Sequence, residues 1–259
     1  MIKNLKWVII NQFGINPKKF FLGFFRLIRY YKEYRQFRKN YKGRITFQPC
    51  LHDSYDDAGD TKSEYFIQDL HVAQLINISN PHKHVDVGSR IDGFVANIAS
   101  SREIEILDIR TVEISVKNIN FNQCDIMETS SRYHNYTDSL SCLHSLEHFG
   151  LGRYGDPINP VGYIAAFNNL AAMLINNGLF YLSIPLGIEQ VQFNAYRIFS
   201  YNSIIDLSTN ANLKLEDFYL VRDGKLIQRL DFDNLSNDLE KVTHVLAIFV
   251  FRKILSSYN

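Results

Sequence analysis

His84-Val85-Asp86-Val87-Gly88-Ser89-Arg90-Ile91-Asp92-Gly93 opens with a short, largely apolar run and breaks at a glycine. Such a run suits a buried strand, and Gly88 supplies the tight turn from which a helix begins near Phe94. The same pattern of strand and polar tip recurs downstream. Residues 103–107 end at Asp108, residues 119–123 end at Asp125, and residues 139–143 run into His144. Asn159-Pro160 opens a helix expected to reach residue 175, where Asn177-Gly178 stops it. A fifth strand, 179–184, closes at Pro185, and residues 203–210 read as helix. Residues 214–221, the Asp223-Gly224 turn, residues 226–232 and residues 242–251 form a closing antiparallel section. Strand alternating with helix implies an α/β fold, a mostly parallel sheet with helices on both faces and an antiparallel C-terminal section. In such sheets ligands sit at the carboxyl ends of the strands, beside the topological switch point.

Working toward the N-terminus, residues 65–78 show helical apolar spacing, and residues 46–66, rich in Asp, Ser, Gly and Tyr, form an irregular link. The expected division is a basic helical arm with its linker over 1–64 and a folded domain over 65–259. The arm reads as helix over 17–41, with Pro17 in its first turn and Asn16 as cap. Phe20, Phe24, Leu27, Tyr31 and Tyr34 share one helical face, with Arg26, Arg29 and Lys32 largely on the other. Twelve of the 28 Lys and Arg, but one of the 27 Asp and Glu, fall in residues 1–45. The arm therefore carries a surplus of eleven positive charges, and the remainder, sixteen basic against twenty-six acidic, a surplus of ten negative ones. Two uses of the arm follow: packing on the body or on a second copy as a homo-oligomer, or peripheral contact of residues 17–42 with a membrane surface or another anionic ligand. Nucleic acid is not expected as a partner, because the acidic body repels it.

At 259 residues, with 46% apolar and 21% charged residues, the chain is neither disordered nor collagen-like, and it buries enough surface to fold without staples. Cys50, Cys124 and Cys142 are odd in number and lack metal-ligand spacing, which fits a reducing compartment. No apolar run approaches the length that spans a bilayer, and basic residues interrupt any secretory signal core. The expected location is the cytoplasm, including the inner face of the membrane if the arm binds there.

The strand tips hold the chemistry. Gly88 allows close approach of a ligand, although Arg90 occupies the second glycine position of the dinucleotide fingerprint. Asp108, about twenty residues on, can accept hydrogen bonds from both ribose hydroxyls. Asp125 and Ile126 are placed to meet an adenine edge and face. One such residue per strand points to an adenosine-containing ligand, the plain alternative being ordinary strand-end caps.

The order of Asp86-Val87-Gly88, Asp108, Cys124-Asp125-Ile126 and Leu146-Glu147-His148 resembles a class I S-adenosylmethionine-dependent methyltransferase. More narrowly, Leu143-His144-Ser145-Leu146-Glu147-His148-Phe149-Gly150-Leu151-Gly152-Arg153-Tyr154-Gly155-Asp156-Pro157 resembles a bacterial and nematode family catalogued as a domain of unknown function. Ile184-Pro185-Leu186-Gly187 and Phe193-Asn194-Ala195-Tyr196-Arg197-Ile198 resemble its next two blocks. The resemblance covers roughly residues 65–230. It implies a Rossmann-like class I methyltransferase sheet, S-adenosylmethionine as cofactor, and contacts from Asp86, Gly88, Ser89, Arg90, Asp108, Ile109, Asp125, Ile126 and Leu143. It also implies a sugar or nucleotide-sugar acceptor destined for a bacterial surface polysaccharide, capsule or lipopolysaccharide.

An alcohol is a poor nucleophile at neutral pH, so a methyl-transfer site needs a base or a metal beside it. His144, Glu147 and His148 stand at i, i+3 and i+4 past the fourth strand and share a face if the stretch is helical. One reading makes a histidine the base, His148 slightly ahead of His144, with Glu147 orienting it. Another makes the trio ligands of a divalent metal. Certain RNA ribose methyltransferases resemble that spacing with Glu-x-x-Glu-His on magnesium, and His144 in place of the first Glu shifts the preference from magnesium toward manganese or zinc. A third makes Glu147-His148 a structural cap. The Gly-rich loop 150–157 offers Arg153, Tyr154 and Asp156 to an acceptor, and Asn194 and Arg197 lie beyond the fifth strand as further candidates. His244 is the outside candidate for a fourth metal ligand. Two non-enzymatic alternatives stand beside O-methyl transfer: a nucleotide-binding module without turnover, and a membrane-surface interaction protein led by the arm.

Overall fold

In a computed structural model describing residues 9–128, 131–228, 239 and 244–255, the chain divides into two compact units, Met1–Asp60 and Thr61–Asn259. The first unit carries helix α1 (Pro17–Asn40), begun by Pro17 and capped by Asn16, whose side chain accepts from the Lys19 N–H at 3.1 Å. Among the described residues no helix is long and apolar enough to cross a membrane.

The second unit begins with helix α2 (Glu64–Ser79) and reaches strand β1 (His84–Val87), all four of whose residues are buried. A π turn (Ile91–Val95) and short helix α3 (Ala96–Ala99) lead to β2 (Ile104–Asp108), β3 (Ile119–Gln123) and β4 (Thr137–Leu143). Helix α4 (Gly162–Met173) then enters β5 (Leu174–Leu186). A separate hairpin, β6 (Gln190–Gln192) and β7 (Tyr196–Ile198), precedes helix α5 (Tyr201–Asn210). Strands β8 (Leu213–Arg222), β9 (Lys225–Gln228) and β10 (Val245–Lys253) complete the main sheet. Its order is β3-β2-β1-β4-β5-β10-β8-β9, parallel from β3 to β5 and antiparallel beyond. The order reverses between β1 and β4, so the switch point lies at their carboxyl ends. This is the expected α/β sheet with its antiparallel section.

Both faces are covered. On one, α2 and α3 bring Val72, Ile76 and Ile98 against Ile104, Ile106 and Ile248. On the other, α4 and α5 bring Phe167, Leu170 and Ile204 into the cluster holding Val85, Phe180 and Phe249. Alternate residues of β10 supply the two faces, as the period of two requires.

The helix expected to reach residue 175 ends at Met173, because buried Leu174 already pairs with Thr137. The next register is Ser139 with Leu179, so Asn177, in the left-handed region, and Gly178 mark an irregularity inside β5, not a helix stop. The β6–β7 hairpin had no counterpart in the sequence reading. Of the strands expected over 226–232 and 242–251, residues 229–232 and 242–243 lie outside the described residues.

β1 carries two buried ionisable groups joined through one hydroxyl. His84 Nδ1 lies 2.7 Å from Ser139 Oγ and Nε2 3.1 Å from Ser141 Oγ, while Ser141 Oγ donates to Asp86 Oδ1 at 2.5 Å. Burial pushes the His84 pKa down to about 3 and that of Asp86 up to about 6. The unfolded chain takes a proton at His84 that the fold refuses, so this contribution to stability is lost as pH falls below ~6.5. The fold keeps a proton on Asp86 that the unfolded chain releases, so this contribution grows over nearly the same interval. The two contributions therefore oppose one another between about pH 4 and 6, and Asp86→Asn is expected to steepen the fall of the urea midpoint with acid. An Asp86→Asn profile no steeper than the parent's removes His84 as its source.

Candidate active site

Two clefts open at the switch point. The first, about 510 Å³, is bounded by Gly88, Asp108, Ile109, Asp125, Ile126 and His144 among others. Gly88 holds φ +73°, and a Cβ there would lie 2.1 Å from Ser145 Oγ, so only glycine lets the chain turn this tightly beside the cleft. Asp86 does not reach the cleft: its carboxyl is fully buried beneath the turn, where it accepts from Ser89 N at 3.0 Å and Ser89 Oγ at 2.7 Å. Asp86 thus braces the loop from below, while Ser89 also borders the second cleft.

Asp108 stands at the tip of β2 with both oxygens engaged. Arg110 donates from its backbone N (2.8 Å) and Nε (2.9 Å) to Oδ1, and from Nη2 (2.6 Å) to Oδ2. The guanidinium also lies 4.5 Å from the centre of the Tyr154 ring, across the cleft mouth. A ribose diol on Asp108 must therefore exchange with Arg110. Asp125 Oδ1 accepts from Met127 N at 2.9 Å, leaving its other oxygen available.

The second cleft, about 1310 Å³, is lined by polar side chains including Tyr65, Asp69, Arg90, Glu147, Arg153 and His244, with Leu143 at the strand end. Gly88, Arg110, His144, His148 and Tyr154 border both clefts. The two spaces meet at the histidines.

His144 leaves β4 with φ +51° and donates its backbone N–H to Ser183 at 2.9 Å. Leu146–His148 form a single 3₁₀ turn, not the start of an α-helix. A three-residue period still brings His144 over Glu147, and their Nδ1 and Oε1 lie 2.8 Å apart. With Nδ1 donating to that carboxylate, His144 Nε2 is the basic nitrogen, and it is buried without a partner, as is Glu147 Oε2. Burial disfavours the imidazolium, but the hydrogen bond and charge of Glu147 outweigh it and hold His144 above its ordinary pKa. Burial likewise opposes ionised Glu147, and His144 outweighs it in the other direction, so Glu147 is held below its usual range. His148 differs: burial holds it below its ordinary value, Nδ1 donates to Ala195 O at 2.7 Å, and Nε2 stands 3.9 Å from Glu147.

Among the described residues, no three His, Cys, Asp or Glu side chains converge on a point that could hold an ion. The metal reading of this trio, with His244 as a fourth ligand, therefore has no ligand set.

The acceptor candidates separate. Arg153 lines the second cleft, its Nη1 donating to Ala195 O at 2.9 Å and its guanidinium 5.1 Å from the Tyr154 ring centre. Asp156 is spent inside its own loop, accepting from Gly150 N, Gly152 N and Tyr154 N at 2.8, 3.1 and 3.1 Å. Arg197 is buried and clamps the carbonyls of Phe149 (2.6 Å) and Pro160 (3.2 Å). Asn194 is exposed in the β6–β7 turn and lines neither cleft. Arg197 and Asn194 line neither cleft and are corrected from acceptor contacts to loop residues, whereas Asp156, though bonded within its loop, borders the first cleft. Arg90 reaches the second cleft while paired with Asp92 at 2.9 Å.

Sequence reasoning missed the contribution of α2. Tyr65 packs its ring 4.7 Å from that of His144, and buried Asp69 is lifted above its usual range chiefly by burial. Their i, i+4 spacing, polar residues recurring on a helix otherwise read for its apolar face, was the available signal. Arg110, two residues past Asp108, carried none.

The chain matches a family model described as Caenorhabditis protein of unknown function, DUF268, over residues 95–208, an interval that contains the run 143–157. No curated protein matches it in sequence. Among solved structures it is similar to the [4+2]-cyclase SpnF, with a TM-score of 0.54 and 13% identity, covering 77% of this chain and 86% of that one. It is also similar to the 1,6-didemethyltoxoflavin-N1-methyltransferase of Burkholderia thailandensis, solved with S-adenosylhomocysteine (TM-score 0.51, 15% identity, 82% and 94% coverage). What is shared at these identities is the Rossmann-like class I methyltransferase fold.

Proposed function

We propose that the chain is an S-adenosylmethionine-dependent O-methyltransferase acting on a sugar hydroxyl, the sugar being nucleotide-linked or part of a surface glycan. The observation that carries this reading is the His144–Glu147 pair: His144 borders both clefts, and its buried Nε2 has no partner within the protein. Gly88, the Asp108 carboxylate and Asp125 with Ile126 fit an adenosine: a turn with no room for a side chain, a ribose acceptor and a base platform, one per strand. S-adenosylmethionine, when bound, supplies an electrophilic methyl group. His144 Nε2 takes the proton of the acceptor hydroxyl, and Glu147 stabilises the imidazolium that results. His144 is preferred to His148 as base because its Nδ1 lies within hydrogen-bond distance of the buried Glu147 carboxylate. Tyr65, Asp69, Arg90 and Arg153 give the second cleft the hydrogen-bonding character a polyhydroxylated acceptor needs, and the two arginines suit a phosphate beside it.

A second reading, ligand binding without methyl transfer, is favoured by one finding, that the same fold is found in a cyclase. Calorimetry with S-adenosylhomocysteine on the full chain tests the common premise. Asp108→Ala is expected to weaken binding by roughly 1.5–3 kcal/mol, the scale of hydrogen bonds to a charged group. Arg110→Ala is expected to preserve or tighten it, since the carboxylate is then free for the ribose. Equal affinity in folded Asp108→Ala removes Asp108 from the site, and no binding by the parent removes both readings.

A further inference from the structure

Helix α1 presents an apolar face that its own unit does not cover. Phe20, Phe21, Phe24, Phe25, Ile28 and Tyr31 are each more than half exposed. At 100° per residue they fall within an arc of about 140°. Lys32, at about 120° on the same scale, is the first charged side chain to fall within that arc. The opposite face is the covered one. Arg26 donates to Leu51 O and contacts His52, and its guanidinium stacks 3.9 Å from the centre of the Tyr55 ring. Arg29 donates to Tyr55 Oη at 3.1 Å and pairs with Glu33 at 2.7 Å. The segment returning from α1 thus packs on the arginines and leaves the aromatics outward.

The charge of the same helix selects the partner. Lys32, Arg35, Arg38 and Lys39 continue the arc of the aromatics through the last turns, Arg38 also donating to the carbonyls of Tyr41 and Gly43, so the same side of the rod is apolar first and cationic next. Residues 1–45 hold the surplus of eleven positive charges. A protein core accepts the aromatics but not the cations, whereas the interface of an anionic membrane accepts both, rings at headgroup depth and guanidinium groups against phosphates. We infer that α1 lies flat on anionic phospholipid, a peripheral attachment independent of the reaction proposed for the second unit.

Sedimentation of the full chain with vesicles tests this directly. Vesicles of phosphatidylcholine with phosphatidylserine are expected to carry the protein down, and phosphatidylcholine alone is not. Raising salt from about 0.1 M to 1 M, which shortens the screening length from about 10 Å to 3 Å, is expected to release it. Arg35→Glu/Arg38→Glu is expected to lower vesicle affinity at least about tenfold, and Phe20→Asp/Phe24→Asp by a similar factor, with the melting temperature unchanged. Failure of the parent to sediment with either vesicle overturns the inference, as does undiminished binding by both variants. A lowered melting temperature, or a dimer dissociated by Phe20→Asp/Phe24→Asp in light scattering, assigns the face to protein packing and overturns it equally.

Discussion

His144→Ala lowers turnover by roughly two to four orders of magnitude, the span that a positioned general base contributes, while the melting temperature and S-adenosylhomocysteine binding stay near those of the parent. The assay is methyl transfer from labelled donor to a panel of nucleotide sugars and glycans. The pH profile carries the sharper signature. A base must be neutral to take a proton, and Glu147 holds His144 above the ordinary histidine value against the opposing effect of burial. Rate should therefore rise with pH through a midpoint above ~6.5. Glu147→Gln removes the main raising charge and leaves only the weaker pull of Glu64 and Asp69 against burial, so the midpoint moves down, with a smaller loss at high pH than His144→Ala. His148→Ala should be milder, because its Nδ1 serves a backbone carbonyl. A chelator should change nothing. Full activity in His144→Ala, or a midpoint unmoved by Glu147→Gln, sinks the pair as the proton acceptor. In stability the sign reverses. A raised histidine pKa contributes fully at low pH and loses that contribution as pH rises through the folded value.

Gly150→Ala destabilises the fold by roughly 3–5 kcal/mol, the sum of left-handed strain and overpacking against an atom that cannot rotate away. Gly150 sits at φ +76°, and an added Cβ would lie 2.0 Å from the backbone oxygen of Asn159, whose own N–H donates back to Gly150 O at 2.9 Å. Gly155 provides the control within the same loop. Its φ is +84°, but nothing lies within 4 Å of its would-be Cβ. Gly155→Ala should therefore cost only the backbone strain, about 1–2 kcal/mol. Urea denaturation separates the two substitutions. Equal midpoints show that the Asn159 contact relaxes at no cost and that the loop is softer than its hydrogen bonds imply. The loop's stability matters to the site because Asp156 straps it and Arg153 and Tyr154 ride on it.

The strands nearest the switch point were legible because a fully buried strand is written as a short apolar run with a polar or glycine end, as His84–Val87 is. The boundary at Leu174 was not, since apolar residues serve a helix and a strand alike and only the pairing with Thr137 decides. The β6–β7 hairpin escaped because β6 is wholly exposed and β7 is only three residues long, too short for a readable alternation. Within the site, His144, Glu147 and His148 were legible as a trio from their spacing. Their unequal roles were not, because the left-handed turn at His144 and the carbonyl of Ala195 belong to the folded backbone. Asp156 and Arg197 show the converse case. A charge in a Gly-rich block announces a partner without saying whether that partner is a ligand or the chain itself.

The place of β10 between β5 and β8 sets an order on the birth of the molecule. β8 and β9 are synthesised before β10, yet they have no neighbour in the parallel half and can join it only through residues 245–253. A nascent chain that has emerged as far as β9 therefore holds two unfinished sheets, each with an apolar edge waiting for the same strand. Such edges pair with whatever strand arrives first, including one from a neighbouring nascent chain. Ribosome-bound intermediates stalled before Val245 should for this reason be the forms that recruit chaperones or aggregate, and release of β10 should end that exposure in a single step.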